Sequence, residues 1–294
     1  MLISVFVEKM YVPLTGISSR TIKLYGYSVK SFSVFLGRDA NLDDLNELDV
    51  ARYLAYRSQH CSPATVAKDR AQLRALWEFA CRRELKSEWP TIRSIRVPLP
   101  LPDAWTIEEF SRLLFTVQNE RGLIAGIPKR LYWKALLLVC YDTAERIGSV
   151  MKVRVADVSS NSILFRAEHR KNKTRDIIRG LGLDTHNTIH AIRFPERELL
   201  FPFPYKNINY IYRLFGDILK RAGLPSNRRT KFHKIRRTSA SFYEAAAPGS
   251  AQKLLDHSNP KTTERYLDPR VTGGFSDPNL IPRVGTISAA EGTA

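Results

Sequence analysis

Residues 230–266 read TKFHKIRRTSASFYEAAAPGSAQKLLDHSNPKTTERY and hold four side chains suited to chemistry on an anion: His233, Arg236, His257 and Tyr266. Residues three apart on a helix share a face, so His233 and Arg236 are predicted to point at one target. Nine residues separate His257 from Tyr266, and the Ser-Asn-Pro between them predicts a turn followed by a helix start. The spacing therefore predicts that all four groups serve one site.

The same helix pattern predicts which side chains are buried. Ile235, Ala240 and Phe242 suit a face turned toward the protein interior, whereas Lys234 and Arg237 are expected in solvent.

These residue types point to a phosphate site with a nucleophile beside it. An arginine presents a rigid planar fork that matches phosphate oxygens. A histidine donates hydrogen bonds or moves protons near neutral pH. A tyrosine hydroxyl can attack phosphorus and hold it covalently. Each member is weak evidence alone, since a lone His-x-x-Arg is more often a surface face and a lone tyrosine is usually packing.

The stretch resembles the tyrosine recombinases, also called phage-type integrases. Their pattern is His-x-x-Arg, then Leu-Gly-His-Ser, then a tyrosine nine residues after that histidine. Residues 255–258 read LDHS, so Asp256 stands where the family usually has glycine. The resemblance implies catalytic roles for the four residues above, with Tyr266 as the nucleophile.

A second arginine motif follows an apolar helix pattern upstream. Residues 143–150 read TAERIGSV where the family usually shows TGLRISEL. Arg146 matches the family's arginine, while Ala144 and Glu145 replace the glycine and the leucine. Taken alone, such an arginine is more often part of a surface ion pair. Beside the later motif, the resemblance implies that Arg146 and Arg236 grip one phosphate.

Two strand-like runs, 162–167 and 176–178, flank a polar turn at 169–174 and predict a β-hairpin. In the family, a lysine on such a tip donates a proton to the leaving oxygen. Lys173 is the predicted catalytic lysine, and Lys171 is the alternative. This role requires that neighbouring cations and partial burial lower the pKa of the amine. The other interpretation is that both are solvated turn lysines that touch DNA.

The charge of the chain predicts a polyanionic partner. Lysine and arginine outnumber aspartate and glutamate by 46 to 29, for a formal net charge of +17. Such an excess favours nucleic acid, because these cations gain free energy by displacing phosphate counterions. A basic protein without a polyanion partner is the alternative. No apolar run reaches about 18 residues and the first residues are too short for a signal peptide, so no membrane association is expected.

The number and spacing of the cysteines indicate the cellular compartment of the protein. Cys61, Cys81 and Cys140 are scattered through helix-like patterns. This favours reduced thiols in a cytoplasm, with neither disulfides nor a zinc cluster.

The first hundred residues carry three helix patterns: one to about Phe35 that ends at Gly37, one from Asp43 or Asp44 to about Ser58, and one from Pro63 to about Leu85. Ser62 is the predicted N-cap of the third. Its polar face includes Lys68, Arg70 and Arg74, which are predicted to contact the DNA backbone. A solvated face is the alternative.

Further along the chain, Thr106 and Glu109 form a predicted capping box that opens a helix. A helix is also predicted over about 207–222, stopped by Gly223. The basic residues of the following tract are predicted to meet the DNA backbone: Arg228, Arg229 and Lys231.

The predicted fold class is mainly α with a small β-sheet. The resemblance implies an N-terminal helical bundle of the SAM-like core-binding type over 1–88 and an α+β tyrosine-recombinase catalytic domain over 104–270. Four prolines forbid a regular helix in 89–103, which is the predicted linker. Residues 271–294 form the predicted tail. The resemblance implies that the two domains close around DNA.

The resemblance implies a site-specific DNA recombinase or integrase that cuts and rejoins double-stranded DNA through a 3′-phosphotyrosyl intermediate. No metal ion and no cofactor are implied, and a homotetramer on two DNA sites, in the cytoplasm and at the nucleoid, is expected. Two alternatives stay open. One is strand relaxation of the type IB topoisomerase kind. The other is a catalytically silent DNA-binding regulator, suggested by Ala144, Glu145 and Asp256.

Overall fold

The computed structural model describes residues 1–171, 175–205 and 207–274. The chain divides into two compact units, the first ending at Pro100 and the second beginning at Leu101. The described elements are mostly helices with two small antiparallel pairs of strands, which confirms the predicted fold class. No helix in the described ranges is long and apolar enough to cross a membrane.

The first unit is a bundle of helices. Its elements are α1 (Ile3–Phe6), a π-helical turn (Val7–Tyr11), α2 (Val12–Thr15), α3 (Ser19–Leu36), a 3-10 turn (Leu42–Asp44), α4 (Glu47–His60) and α5 (Pro63–Arg82). The helical segment over residues 3–15 was not predicted. The second predicted helix starts later than expected, because Asn46 caps α4 by accepting the backbone N–H of Asp49, while Asp43 and Asp44 lie in the 3-10 turn.

Aromatic and aliphatic side chains fill the centre of this bundle, with Phe6, Phe32, Tyr53 and Trp77 fully buried. One carboxylate is buried among them. Asp69 on α5 accepts hydrogen bonds from Ser28 (2.6 Å) and from Arg57 (3.1 Å). This network satisfies the carboxylate and ties three helices together.

The second unit is built around α7 (Lys129–Thr143), which contacts α6 (Ile107–Gln118), α9 (Leu183–His190) and α11 (Phe232–Ala246). The remaining elements are β1 (Leu123–Ile124), β2 (Ile127–Pro128), α8 (Ile147–Val150), a 3-10 turn (Val155–Asp157), β3 (Ser162–Phe165), a 3-10 turn (Ala167–His169), β4 (Ile177–Gly180), α10 (Asn209–Arg221), α12 (Ser250–Leu255), α13 (Pro260–Glu264) and α14 (Pro269–Thr272).

The apolar periodicity of α7 explains its central place. Trp133, Leu136 and Val139 are buried, and the helix is apolar on nearly all sides. Strands β3 and β4 pair antiparallel, with Ser162 opposite Gly180, and form the predicted hairpin. The C-terminal end of α7, this hairpin and the start of α11 position the candidate site.

Candidate active site

Helix α11 supplies His233 and Arg236 from its first turn and a half. The Arg236 side chain is fully buried. Its guanidinium donates hydrogen bonds to the backbone carbonyls of Ala144 and Leu255, the latter at 2.9 Å. Burial and the nearby positive charge of Arg146 lower the pKa of Arg236 to about 10, so the group stays protonated at neutral pH. A buried cation thus joins the turn after α7 to the end of α12.

The expectation that Lys234 and Arg237 lie in solvent is wrong. The Lys234 ammonium is 2.6 Å from an Asp103 carboxylate oxygen and lies 4.0 Å from the centre of the Trp105 ring. Arg237 is 3.1 Å from the other oxygen of Asp103. The beginning of the second unit covers this face of α11, and the helix pattern alone carried no sign of that cover. Of the residues predicted to be buried, Ile235 and Ala240 are buried and Phe242 is half-buried.

The turn that carries Arg146 ends α7 in the left-handed conformation. Ala144 has a φ of 47°, a region that favours glycine, and the family motif has glycine at this position. Arg146 follows as the residue that precedes α8. Its side chain is half-buried, and its charge contributes to lower pKa values at Arg236, His233 and His257. The two predicted phosphate arginines therefore lie close together although they are 90 positions apart in the chain.

The turn that carries His257 has the same backbone feature. Asp256, where the family has glycine, adopts a φ of 52°. Aspartate tolerates this region better than most residues, because its short side chain hydrogen-bonds locally. His257 is half-buried, and its Nδ1 lies 3.1 Å from the Thr263 hydroxyl oxygen. Burial, followed by the charges of Arg236 and Arg146, lowers the pKa of His257 to about 4.

Tyr266 lies in the turn that follows α13, with its ring between the two histidines. The ring centres of His233 and His257 are each 5.1 Å from that of Tyr266, and the Arg236 guanidinium is 5.7 Å from it. The backbone around the tyrosine is fixed by Ser241, whose hydroxyl donates to the Tyr266 carbonyl (3.3 Å) and accepts from the N–H of Asp268 (2.9 Å). The phenol is therefore held beside Arg236 and two histidines of its own chain.

His233 completes this group. It is exposed to solvent on one side, but the protein packed around its ring and the charges of Arg236, Arg237 and Arg146 lower its pKa to about 4. Both histidines are consequently neutral at pH 7, so each ring has one nitrogen that carries a proton and one that accepts a hydrogen bond.

The predicted lysines fall between β3 and β4 in the sequence. Lys171 is exposed, while Lys173 lies outside the described residues. The choice between them stays a prediction.

A set of charged residues next to the site was missed at the level of sequence. Two carboxylates, Glu145 and Asp256, meet three arginines of the hairpin: Arg170, Arg175 and Arg179. We call these five residues the hairpin cluster. The signal that was available is the departure from the family motif at both acidic positions, which the structure brings within reach of one guanidinium, that of Arg170.

The predicted DNA-contacting residues differ in how they are engaged. On α5, Lys68 is 3.1 Å from Asp69, Arg74 is 2.6 Å from Glu78, and Arg70 donates to the carbonyls of Ile92 and Arg93. In the tract before α11, Arg228 and Arg229 are exposed and Lys231 is half-buried.

Comparison with known families and proteins gives consistent matches. The model of the phage integrase family matches residues 106–272, more than half of the chain, and that of the phage integrase N-terminal SAM-like domain matches residues 2–87. Tyrosine recombinase XerC of Staphylococcus carnosus is 27% identical over 272 residues, which cover 85% of this chain and 86% of that protein. Tyrosine recombinase XerA of Thermococcus kodakarensis is 26% identical over 271 residues, 87% of each chain.

Solved structures share the fold at low sequence identity. A lambda integrase dimer bound to a COC′ core site aligns with a TM-score of 0.70 and 17% identity, covering 91% of this chain and 95% of that one. The XerH recombinase bound to a palindromic difH substrate aligns with a TM-score of 0.68 and 18% identity, covering 90% and 80%.

Proposed function

The chain belongs to the phage integrase family of tyrosine recombinases, and from this premise we propose that it cuts and rejoins DNA at specific sites through a covalent link between Tyr266 and a 3′-phosphate. The observation that carries the proposal is the convergence of Arg236, His233 and His257 on the Tyr266 ring, with Arg146 in electrostatic range. Four groups for a phosphate and one nucleophile lie in a single chain.

Arg146 and Arg236 bind the non-bridging oxygens of the scissile phosphate. Their charges stabilise the negative charge that builds up in the transition state, so the proposed reaction needs no metal ion. Because Arg236 is buried and hydrogen-bonded to two backbone carbonyls, its guanidinium is already oriented before DNA arrives. Preorganised charge of this kind costs no rearrangement at the moment of reaction.

Proton transfer follows from the state of the two histidines. The Tyr266 oxygen bonds to phosphorus, and its proton passes to neutral His233, whose pKa is lowered to about 4 in the free protein and rises when the anionic phosphate binds. If the Thr263 hydroxyl donates to Nδ1 of His257, then Nε2 of His257 carries the proton and donates to the phosphate. The bond from phosphorus to the 5′-oxygen breaks, and this oxygen takes a proton from Lys173 or Lys171.

The second half of the reaction reverses the first. A 5′-hydroxyl from a partner duplex attacks the 3′-phosphotyrosyl bond, and Tyr266 recovers its proton. One chain has one such nucleophile, so exchange of both strands of two duplexes requires four subunits, and we propose a homotetramer. A solved lambda integrase structure contains a tetramer bound to a Holliday junction. The proposed place of action is the nucleoid, in the cytoplasm.

Two basic surfaces are proposed to hold the duplex. Arg228, Arg229 and Lys231 precede the site helix, and Lys68, Arg70 and Arg74 lie on α5. Such contacts to phosphates position a protein on DNA without reading its sequence.

Covalent capture tests the proposed function and finds the target site in one experiment. The protein is incubated with fragmented genomic DNA and denatured, and the DNA that stays attached is sequenced. A duplex built from the recovered sequence, nicked opposite the scissile phosphate, then serves as a suicide substrate. Wild-type protein is expected to accumulate the covalent adduct, and Tyr266→Phe is expected to form none.

The alternatives give different results in the same assay. A silent regulator would bind DNA before denaturation but leave none attached after it. An enzyme of the topoisomerase kind would relax supercoiled plasmid that lacks any recovered site. The left-handed turns at Ala144 and Asp256, which keep the site residues together despite the loss of both glycines, support the enzyme.

A further inference from the structure

The hairpin cluster links the β3–β4 hairpin to both turns of the candidate site. Arg170 Nη2 is 2.7 Å from Asp256 Oδ2 and 3.4 Å from Glu145 Oε1. Asp256 immediately precedes His257, and Glu145 immediately precedes Arg146. A single guanidinium thus contacts both residues that adjoin the predicted phosphate-binding side chains.

Asp256 also joins the two sides of the hairpin tip. Arg170 precedes the tip and binds Oδ2, while Arg175 follows the tip and binds Oδ1. The Arg170 guanidinium also donates to the Arg175 carbonyl at 3.2 Å. A carboxylate next to His257 therefore joins Arg170, which immediately precedes Lys171, to Arg175.

Burial makes these contacts strong. The side chains of Arg170 and Glu145 are 4% and 1% exposed, and that of Asp256 is 11% exposed. Charge pairs away from solvent are weakly screened, and removal of one partner leaves the other without compensation. Arg179 adds a further tie, since it lies 3.8 Å from Glu145 and donates to the Leu254 carbonyl at 2.6 Å.

The family motif has leucine and glycine at positions 145 and 256, so neither carboxylate comes from the motif itself. We infer that Glu145 and Asp256 are positioning residues, which dock the hairpin on the His257 turn through Arg170 and hold the adjoining Lys171 beside the scissile phosphate. Neither carboxylate touches the reacting atoms. The docking is a property of the free protein, whereas its effect on catalysis rests on the proposed function.

Asp256→Asn tests the inference with little change to the backbone, because asparagine also tolerates the left-handed region and has nearly the same size. Asp217→Asn is the matched control, since the Asp217 side chain on α10 is 47% exposed and lies 3.8 Å from Lys220. Hydrogen exchange of the free proteins is followed in peptides that cover residues 162–180, well below the unfolding temperature. We expect faster exchange in this segment for Asp256→Asn and unchanged exchange for Asp217→Asn.

The catalytic consequence is measured with the nicked duplex from the capture experiment. At saturating DNA, adduct formation by Asp256→Asn is expected to be about tenfold slower or more, because small misplacements of reacting groups cost this much. DNA affinity is expected to change far less, and Asp256→Glu is expected to recover part of the rate. The double variant with Glu145→Gln is expected to lose more than the two single losses combined, since Arg170 then has neither carboxylate.

Each outcome bears on one part of the inference. Unchanged hairpin exchange in Asp256→Asn would overturn the docking. Faster exchange with an unchanged rate of adduct formation would overturn the positioning role and leave an interaction that serves stability alone. If wild-type protein forms no adduct, the proposed function fails and the catalytic part of the inference fails with it, while the exchange data still judge the docking.

Discussion

Two groups of cations lie side by side in the second unit and have opposite surroundings. The first group is Arg146 and Arg236, which lie with the neutral His233 and His257 at the Tyr266 site, and within the described residues neither arginine forms an ion pair with a carboxylate. The arginines of the hairpin cluster are all paired with Glu145 or Asp256. The two arginines without an acidic partner repel each other until an anion binds. Paired cations already have their anion and serve the fold.

The largest effect on the rate of adduct formation is expected for a substitution of Arg146, whose side chain makes no hydrogen bond to another of the described residues. Arg146→Ala is expected to slow adduct formation by about 100- to 1,000-fold, the usual cost of removing one donor to a transition-state oxyanion. The free energy of unfolding is expected to change by no more than about 0.5 kcal/mol. Single-turnover trapping and urea unfolding measure the two quantities. A large loss of stability would show that Arg146 belongs with the structural cations.

The paired group predicts the reverse pattern. Arg170→Met leaves the more distant Arg179 as the only charged partner of the buried Glu145 carboxylate among the described residues, and we expect a loss of about 3 kcal/mol in the free energy of unfolding. Arg175→Met is the matched control, because its 69% exposed side chain is expected to contribute less than about 1 kcal/mol. Equal losses for the two variants in urea unfolding would contradict the importance of burial.

The two histidines and Asp256 are expected to reduce the stability of the protein in different ranges of acidic pH. The histidines have pKa values of about 4 in the folded protein and near 6.5 when unfolded, so the unfolded state binds protons first and stability declines as the pH falls from 6.5 to 4. Asp256 titrates in a lower pH range, because hydrogen bonds with Arg175 and Arg170 lower its pKa from 3.8 to about 2. Its stabilisation is therefore lost only as the pH falls from 3.8 toward 2. Urea midpoints measured across pH check both windows.

Substitutions show which residue causes the loss of stability in each of these two pH ranges, or windows. His257→Gln is expected to flatten the decline between pH 6.5 and 4 and to leave the lower window intact. Asp256→Asn is expected to reduce the loss of stability below pH 3.8, to which Asp44, Asp69 and Asp268 also contribute because their pKa values are lowered. If His257→Gln left the decline at mild acidity unchanged, the low histidine pKa would be wrong.

The smallest expected effects concern contacts to the DNA backbone. Arg228→Ala or Arg229→Ala is expected to lower the slope of log affinity against log salt by about 0.9, the value for one phosphate that is no longer neutralised. Arg74→Ala is expected to lower it less, because Arg74 must leave Glu78 before it binds phosphate. A nonspecific duplex suffices for this titration. An equal change for Arg74→Ala would show that pairing on α5 does not limit DNA contact.

The local features of the site were predictable from sequence, and the long-range ones were not. The His-x-x-Arg spacing, the Asn-Pro helix start before Tyr266 and the hairpin over 162–180 follow from rules that act within a few residues. The burial of Lys234 depends on Asp103, 131 positions away, and the pairing of Arg170 depends on Asp256, 86 positions away. No periodicity encodes such partners.

The first unit shows the same limit at shorter range. Asp43 and Asp44 look like helix caps, but Asn46 takes that role because Asp44 is held by Arg38 at 2.6 Å. Competing caps of similar propensity are decided by tertiary contacts that the sequence pattern does not contain.

The hydrogen bonds that Ser241 makes with the backbone of Tyr266 and Asp268 would keep the proposed nucleophile in the site of its own subunit. The Ser241 hydroxyl binds the Tyr266 carbonyl and the N–H of Asp268, and the ring packs on residues of its own chain. Each protomer would thus be a self-contained cutting unit that acts in cis. A mixture of Arg236→Ala and Tyr266→Phe proteins would then fail to complement, since no neighbour lends its tyrosine to a defective subunit.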